Sequence, residues 1–147
     1  MKEPAHFVRR GLFNVLNGNI SYDGSNVPVY NTVPDNAGYP YIIIYSVSTN
    51  QIEDNRTNYI ADVSTRIEVV TRFASGDGGQ LQANQIINSI SQLVILKSGL
   101  LNLTSDNFNV YSQVNEGITY LTEDEPDNTY YRGIISLSIK LEQTSWD

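Results

Sequence analysis

The chain has 147 residues, with 9 Lys+Arg against 16 Asp+Glu for a formal net charge of −7, and no cysteine. A length in this range suits one domain that buries roughly 70% of its unfolded surface without staples. The missing cysteine excludes disulfides, thiolate metal sites and a cysteine nucleophile, and the acidic balance disfavours gripping nucleic-acid phosphates or anionic membranes.

Residues 4–17 read as a first helix. Pro4 suits a first helical turn, and Val8, Leu12, Val15 and Leu16 recur at helical spacing with Phe7 beside them. Arg9 and Arg10 fall on the other side, and Gly18 is a stop signal. Residues 17–26 are rich in turn formers. A short extended piece follows at 27–31, which Pro28 restricts to a sheet edge.

Residues 39–50 form the first long strand. Tyr41, Ile43, Tyr45 and Val47 share one face, and Ile42 and Ile44 share the other. A strand apolar on both faces needs cover on both, and a small domain readily supplies one layer. The tyrosine face, Tyr39, Tyr41, Ile43, Tyr45 and Val47, is therefore the candidate subunit contact. After a polar connection at 51–58, residues 59–73 alternate cleanly. Val63, Thr65, Ile67, Val69, Thr71 and Phe73 lie on one face. Asp62, Ser64, Arg66, Glu68 and Arg72 lie on the other, with Val70 the exception. The two strands are expected to pair as an antiparallel hairpin.

Residues 80–96 read as a second helix with Ala83, Ile86, Ile87, Ile90, Leu93 and Val94 on one stripe. Its other face is neutral Gln, Asn and Ser until Lys97, which suits packing against protein. A moderate strand is expected at 106–115, a long acidic loop at 116–129, and a final alternating strand at 130–142. The order predicts an α+β domain: a mostly antiparallel sheet of about four to five strands with both helices on one face. A single domain covers 1–147.

Candidate chemistry is sparse. His6 is the only histidine and has no local orienting partner. Ser75-Gly76-Asp77-Gly78-Gly79 precedes a helix, but it lacks the Lys and Ser/Thr of a phosphate loop. Glu123, Asp124, Glu125 and Asp127 concentrate carboxylates, yet their spacing does not fit a calcium loop. They read as a solvated loop that faces a channel or a basic partner. A hydrolase built on these carboxylates predicts metal-dependent activity lost in Asp124→Asn or Asp127→Asn. Glu53-Asp54-Asn55-Arg56 reads as a solvated hairpin tip. Asn19, Asn55 and Asn102 begin glycosylation acceptor triplets, and residues 1–6 have no apolar signal core. The longest apolar runs are too short to span a bilayer, so the chain is expected to be soluble and cytosolic at synthesis, with no cofactor and no bound metal.

These elements in order resemble the tail-completion, or tail-terminator, proteins of tailed bacteriophages. The resemblance rests on the amphipathic helix at 4–17 and the strand start Tyr39-Pro40-Tyr41-Ile42-Ile43-Ile44. It continues through the strand close Arg66-Ile67-Glu68-Val69-Val70-Thr71-Arg72-Phe73, the Gly/Asp turn before the second helix, and the alternating strand at 132–142. It is a pattern of elements, with no catalytic residues to carry over. The resemblance implies a non-enzymatic virion structural protein, a homo-oligomeric ring (hexamer or dodecamer) at the head–tail junction. Its partners would be other tail or connector proteins, and DNA would only pass through. The sequence departs from the family by the uncharged second helix and the long connection at 18–38. The alternative is a small adaptor that binds a partner at a sheet edge.

Overall fold

The computed structural model describes residues 2–52, 59–97 and 99–146. The expected tip Glu53-Asp54-Asn55-Arg56, with its acceptor triplet, lies outside them.

The chain folds as α1 (Ala5–Leu16), β1 (Ser21–Tyr22), β2 (Ser25–Asn26), β3 (Val29–Tyr30), β4 (Tyr41–Gln51), β5 (Tyr59–Ala74), α2 (Leu81–Ser91), β6 (Phe108–Asp124) and β7 (Asn128–Gln143). It is an α+β fold. Five strands form one sheet in the order β3-β4-β5-β7-β6, and β1 and β2 form a separate small hairpin. All neighbours in the large sheet are antiparallel except β3 and β4, which run parallel over two residues.

Both helices cover one face of the sheet. Helix α1 begins where the Glu3 carboxylate accepts from the Ala5 N–H at 2.8 Å, favourably placed at the positive helix end. It buries Val8, Leu12 and Leu16, each side chain contributing about 1.5–3 kcal/mol. Helix α2 buries Ala83, Ile86, Ile87 and Ile90. The helix continues as a π-helical turn at Gln92–Lys97. Val94, within that turn, is buried, and its carbonyl accepts from the Gln113 amide of β6. The same amide oxygen accepts from Leu101 N–H at 3.2 Å, so one side chain ties the irregular turn to the sheet.

The strands complete the core by simple registry. Ile42, Val69 and Gly133 lie in one cross-sheet row, and Ile44, Ile67 and Ile135 in the next. Gly133 is needed where α2 approaches the sheet. A Cβ there would stand 2.8 Å from Ile87 Cγ1 and 3.2 Å from a Tyr120 ring carbon.

One expectation fails. The strand expected at 106–115 runs on to Asp124, and the long acidic loop at 116–129 does not exist. Residues 116–124 pair with β7 as far as Asp124↔Thr129, which leaves a turn of three residues, 125–127. On the uncharged face of α2, Asn84, Gln85 and Asn88 are exposed in the subunit.

A candidate subunit interface

Among the described residues the outer face of the sheet carries no helix, yet it is not bare. Its rows are Tyr41–Val70–Arg132–Leu121, Ile43–Glu68–Ile134–Thr119 and Tyr45–Arg66–Ser136–Gly117. Val70 has no exposed surface and Tyr41 only 8%. Long side chains of the same face provide the cover.

At one end of the face the rings gather. Tyr39 lies 5.1 Å from Tyr41 and 5.8 Å from Tyr130 between ring centroids, and Tyr30 meets Tyr41 edge-on at 5.9 Å. The Arg72 guanidinium sits 4.4 Å from the Tyr39 ring centroid, a favourable cation–π geometry. Beside the rings, Arg132 Nη1 donates to Glu68 Oε2 at 2.8 Å. Its Nε lies 2.9 Å from Glu123 Oε1, an ion pair by distance. The result is a β5–β7–β6 bridge across three strands. Burial by itself would lower the Arg132 pKa, but the bond to Glu68 and the charges of Glu68 and Glu123 hold it above its usual value. Burial, followed by Tyr39, raises the Tyr41 phenol above its usual value of 10.0.

The candidate residues separate on this geometry. Tyr41, Ile43 and Tyr45 share the outer face, and Tyr39 stacks at its end. Val47 does not join them: the β4–β5 register shifts between Ser46 and Ser48, and Ser48 takes the outer position opposite Ser64. Tyr41 is already buried within the subunit, so a partner could gain little area from it. Ile43 and Tyr45 are only partly buried.

The acidic set divides as well. Glu123 and Asp124 belong to β6, where Glu123 meets Arg132 and Asp124 Oδ1 accepts from the Thr129 hydroxyl at 3.0 Å. Only Glu125 and Asp127 stand in the turn, exposed and without an ion pair among the described residues. No group of three or more His, Asp or Glu is placed to hold a metal ion among the described residues. His6 is exposed, its ring tilted against Phe7 with centroids 3.8 Å apart. No described helix is long and apolar enough to cross a membrane.

The surface that pattern reading missed is the far edge of the sheet. Strand β6 is 17 residues long, and among the described residues no strand pairs with its outer side. Tyr111, Val114, Ile118 and Leu121 are each about 40–50% exposed along it. At the opposite edge, β3 covers only Ile42 and Ile43, so β4 is unpaired on that side from Ile44 onward. Long unpaired edges with apolar side chains are surfaces that other chains can extend. The signal in the sequence was weak because two bulges, at Val110/Ser112 and Asn115/Gly117, change which residues face out.

No protein-family model matches the chain, and no curated protein matches it in sequence.

Proposed function

We propose that this protein is a ring-forming structural subunit, a tail terminator or head–tail joining component of a tailed bacteriophage. The observation that supports it most is the pair of open sheet edges, β6 on one side and the second half of β4 on the other. One sheet with two different open edges suits head-to-tail contacts, which close into a ring when the rotation between copies allows. The resemblance of the element order to tail-terminator proteins supplies the biological setting. The role is assembly and not catalysis. In that setting the acidic balance would let DNA pass through the ring without adhering.

Light scattering coupled to size exclusion at high protein concentration, followed by negative-stain imaging with and without purified tail tubes, tests this. Rings of one size, alone or on tube ends, are expected. A strict monomer that ignores tail tubes overturns the reading. The same β6 edge also suits an adaptor that takes one partner strand. A stable monomer that forms a single-partner complex would favour that reading instead.

A further inference from the structure

We propose that the cleft between α1 and the β3–β4 edge receives the acidic β6–β7 turn of a second copy of this chain. The proposal rests on the homo-oligomer reading above and names the contact.

The cleft has a volume of about 380 Å³, at the low end of the roughly 300–1,000 Å³ usual for ligand clefts. Phe13, Tyr30 and Ile44 make an apolar lining, and His6, Arg9 and Asn31 stand around it. Arg10 also borders it, but its charge is taken by Asp106 at 2.6 Å. Arg9 is different. Its Nη1 donates to the Ser46 hydroxyl at 2.8 Å. Its Nε is shielded from solvent and meets no acceptor, and no carboxylate pairs with it among the described residues. A half-buried guanidinium without a counter-charge is costly, and an arriving carboxylate relieves that cost.

The occupant follows from charge and shape. An apolar lining with a cation beside it calls for an apolar group flanked by carboxylates. The turn 125–127 is Glu125-Pro126-Asp127, all exposed, with both carboxylates free of ion pairs among the described residues. Its backbone is already ordered by the Glu125 N–H donating to the Asn128 carbonyl at 2.8 Å, so little entropy is lost on docking. Pro126 would enter the apolar part, and Glu125 and Asp127 would face Arg9 and His6.

The cleft cannot take its own turn. In the order β3-β4-β5-β7-β6 the cleft lies at the β3–β4 side and the turn joins β7 to β6 at the other. The contact is therefore between copies, and in the ring reading it is heterologous, each copy offering its cleft to one neighbour and its turn to the other. Copies with a formal charge of −7 repel one another at long range, so a local pairing of opposite charges also fixes which surfaces meet.

The absence of native cysteine makes the test direct. Asn31→Cys labels the cleft rim and Asn128→Cys labels the base of the turn. Mixed at high concentration with a short bismaleimide, the two variants are expected to cross-link to each other faster than either does to itself. Arg9→Glu in the Asn31→Cys copy is expected to slow this on the order of tenfold. Glu125→Lys with Asp127→Lys in the Asn128→Cys copy is expected to slow it similarly, and combining both sets to restore the rate. The turn substitutions are exposed, so they report even if Arg9→Glu does not fold. A mixed rate no higher than the self rates, or one that the turn substitutions leave unchanged, overturns the proposal. Rings that form without the cross-link overturn this contact and keep the ring reading. A cross-link within particles that are not rings does the reverse.

Discussion

The two faces of one five-stranded sheet bury apolar groups by different means. The inner face is aliphatic and receives α1 and α2. Ile67, Leu137 and Ile139 have no exposed surface, because another layer of secondary structure excludes water from them. The outer face has no such layer. Val70 is equally buried there, but under Tyr41, Arg132 and their neighbours. Arg and Tyr can do this because their long, flat bodies lie along the sheet while their polar ends stay hydrated. The inner face is thus a core finished within one subunit. The outer face is a finished cluster at its Tyr39 end and an unfinished surface along Ile43, Tyr45 and the β6 edge.

The comparison can be broken most forcefully at the inner face. Leu137→Ala is expected to cost about 2–5 kcal/mol in urea unfolding, since the site is fully buried and cannot collapse easily. Ile43→Ala on the outer face should cost clearly less, because its side chain is only partly buried. Equal losses would mean that the outer face is as closed as the inner one.

Removal of the cover on the outer face comes next. Arg132→Ala takes the ion-pair partner from Glu68, whose side chain is 13% exposed with Arg132 in place. It also uncovers Val70. A loss of about 1–3 kcal/mol is expected from the orphaned carboxylate, read by the same urea midpoint. An effect within error would show that Val70 is buried by the tyrosines alone.

Tyr45→Glu separates folding from assembly. Tyr45 lies opposite Arg66, so a carboxylate there gains a cross-strand partner. Monomer stability should change by no more than about 0.5–1 kcal/mol, while ring formation in light scattering should fall. Unfolding of the isolated subunit would place Tyr45 in the core.

The smallest effect is a pH dependence. The Tyr41 and Tyr59 phenols are both raised above 10.0, chiefly by burial. A raised pKa in the folded state means that the folded chain holds its proton longer than the unfolded one. The associated stability is complete below about pH 10 and falls as pH rises beyond it. Urea midpoints measured from pH 8 to 11 should decline at the alkaline end. Tyr41→Phe should decline less steeply. An unchanged slope would mean that Tyr41 does not titrate against its surroundings.

The inner face was legible in the chain because a single buried face imposes a period of two. Val63, Thr65, Ile67 and Val69 announce it, and Ile135, Leu137, Ile139 and Leu141 announce its neighbour. Val70 looked like an exception and is explained by its row, where Tyr41 and Arg132 enclose it. Strand β6 was legible only in its first half. Gly117, at φ +151°, sits at a bulge that resets the alternation, and an edge strand is not bound to one buried face. Glu123 and Asp124 resembled a loop because carboxylates are rare in strands, and only their partners Tyr130 and Thr129 draw them into one.

Local pattern and composition by themselves determined two amphipathic helices, three of the long strands, the α+β class, and the single His and absent Cys, since periodicity and composition need only the chain itself. Tertiary structure decided what no local pattern contains. It set the sheet order with its two open edges, the departure of Val47 from the tyrosine row, and the shortening of the acidic loop to three residues. It also placed Arg9, without a counter-charge among the described residues, in a cleft across the sheet from Glu125 and Asp127. Each of these depends on pairing between residues far apart in sequence, where register and packing, not propensity, choose the outcome.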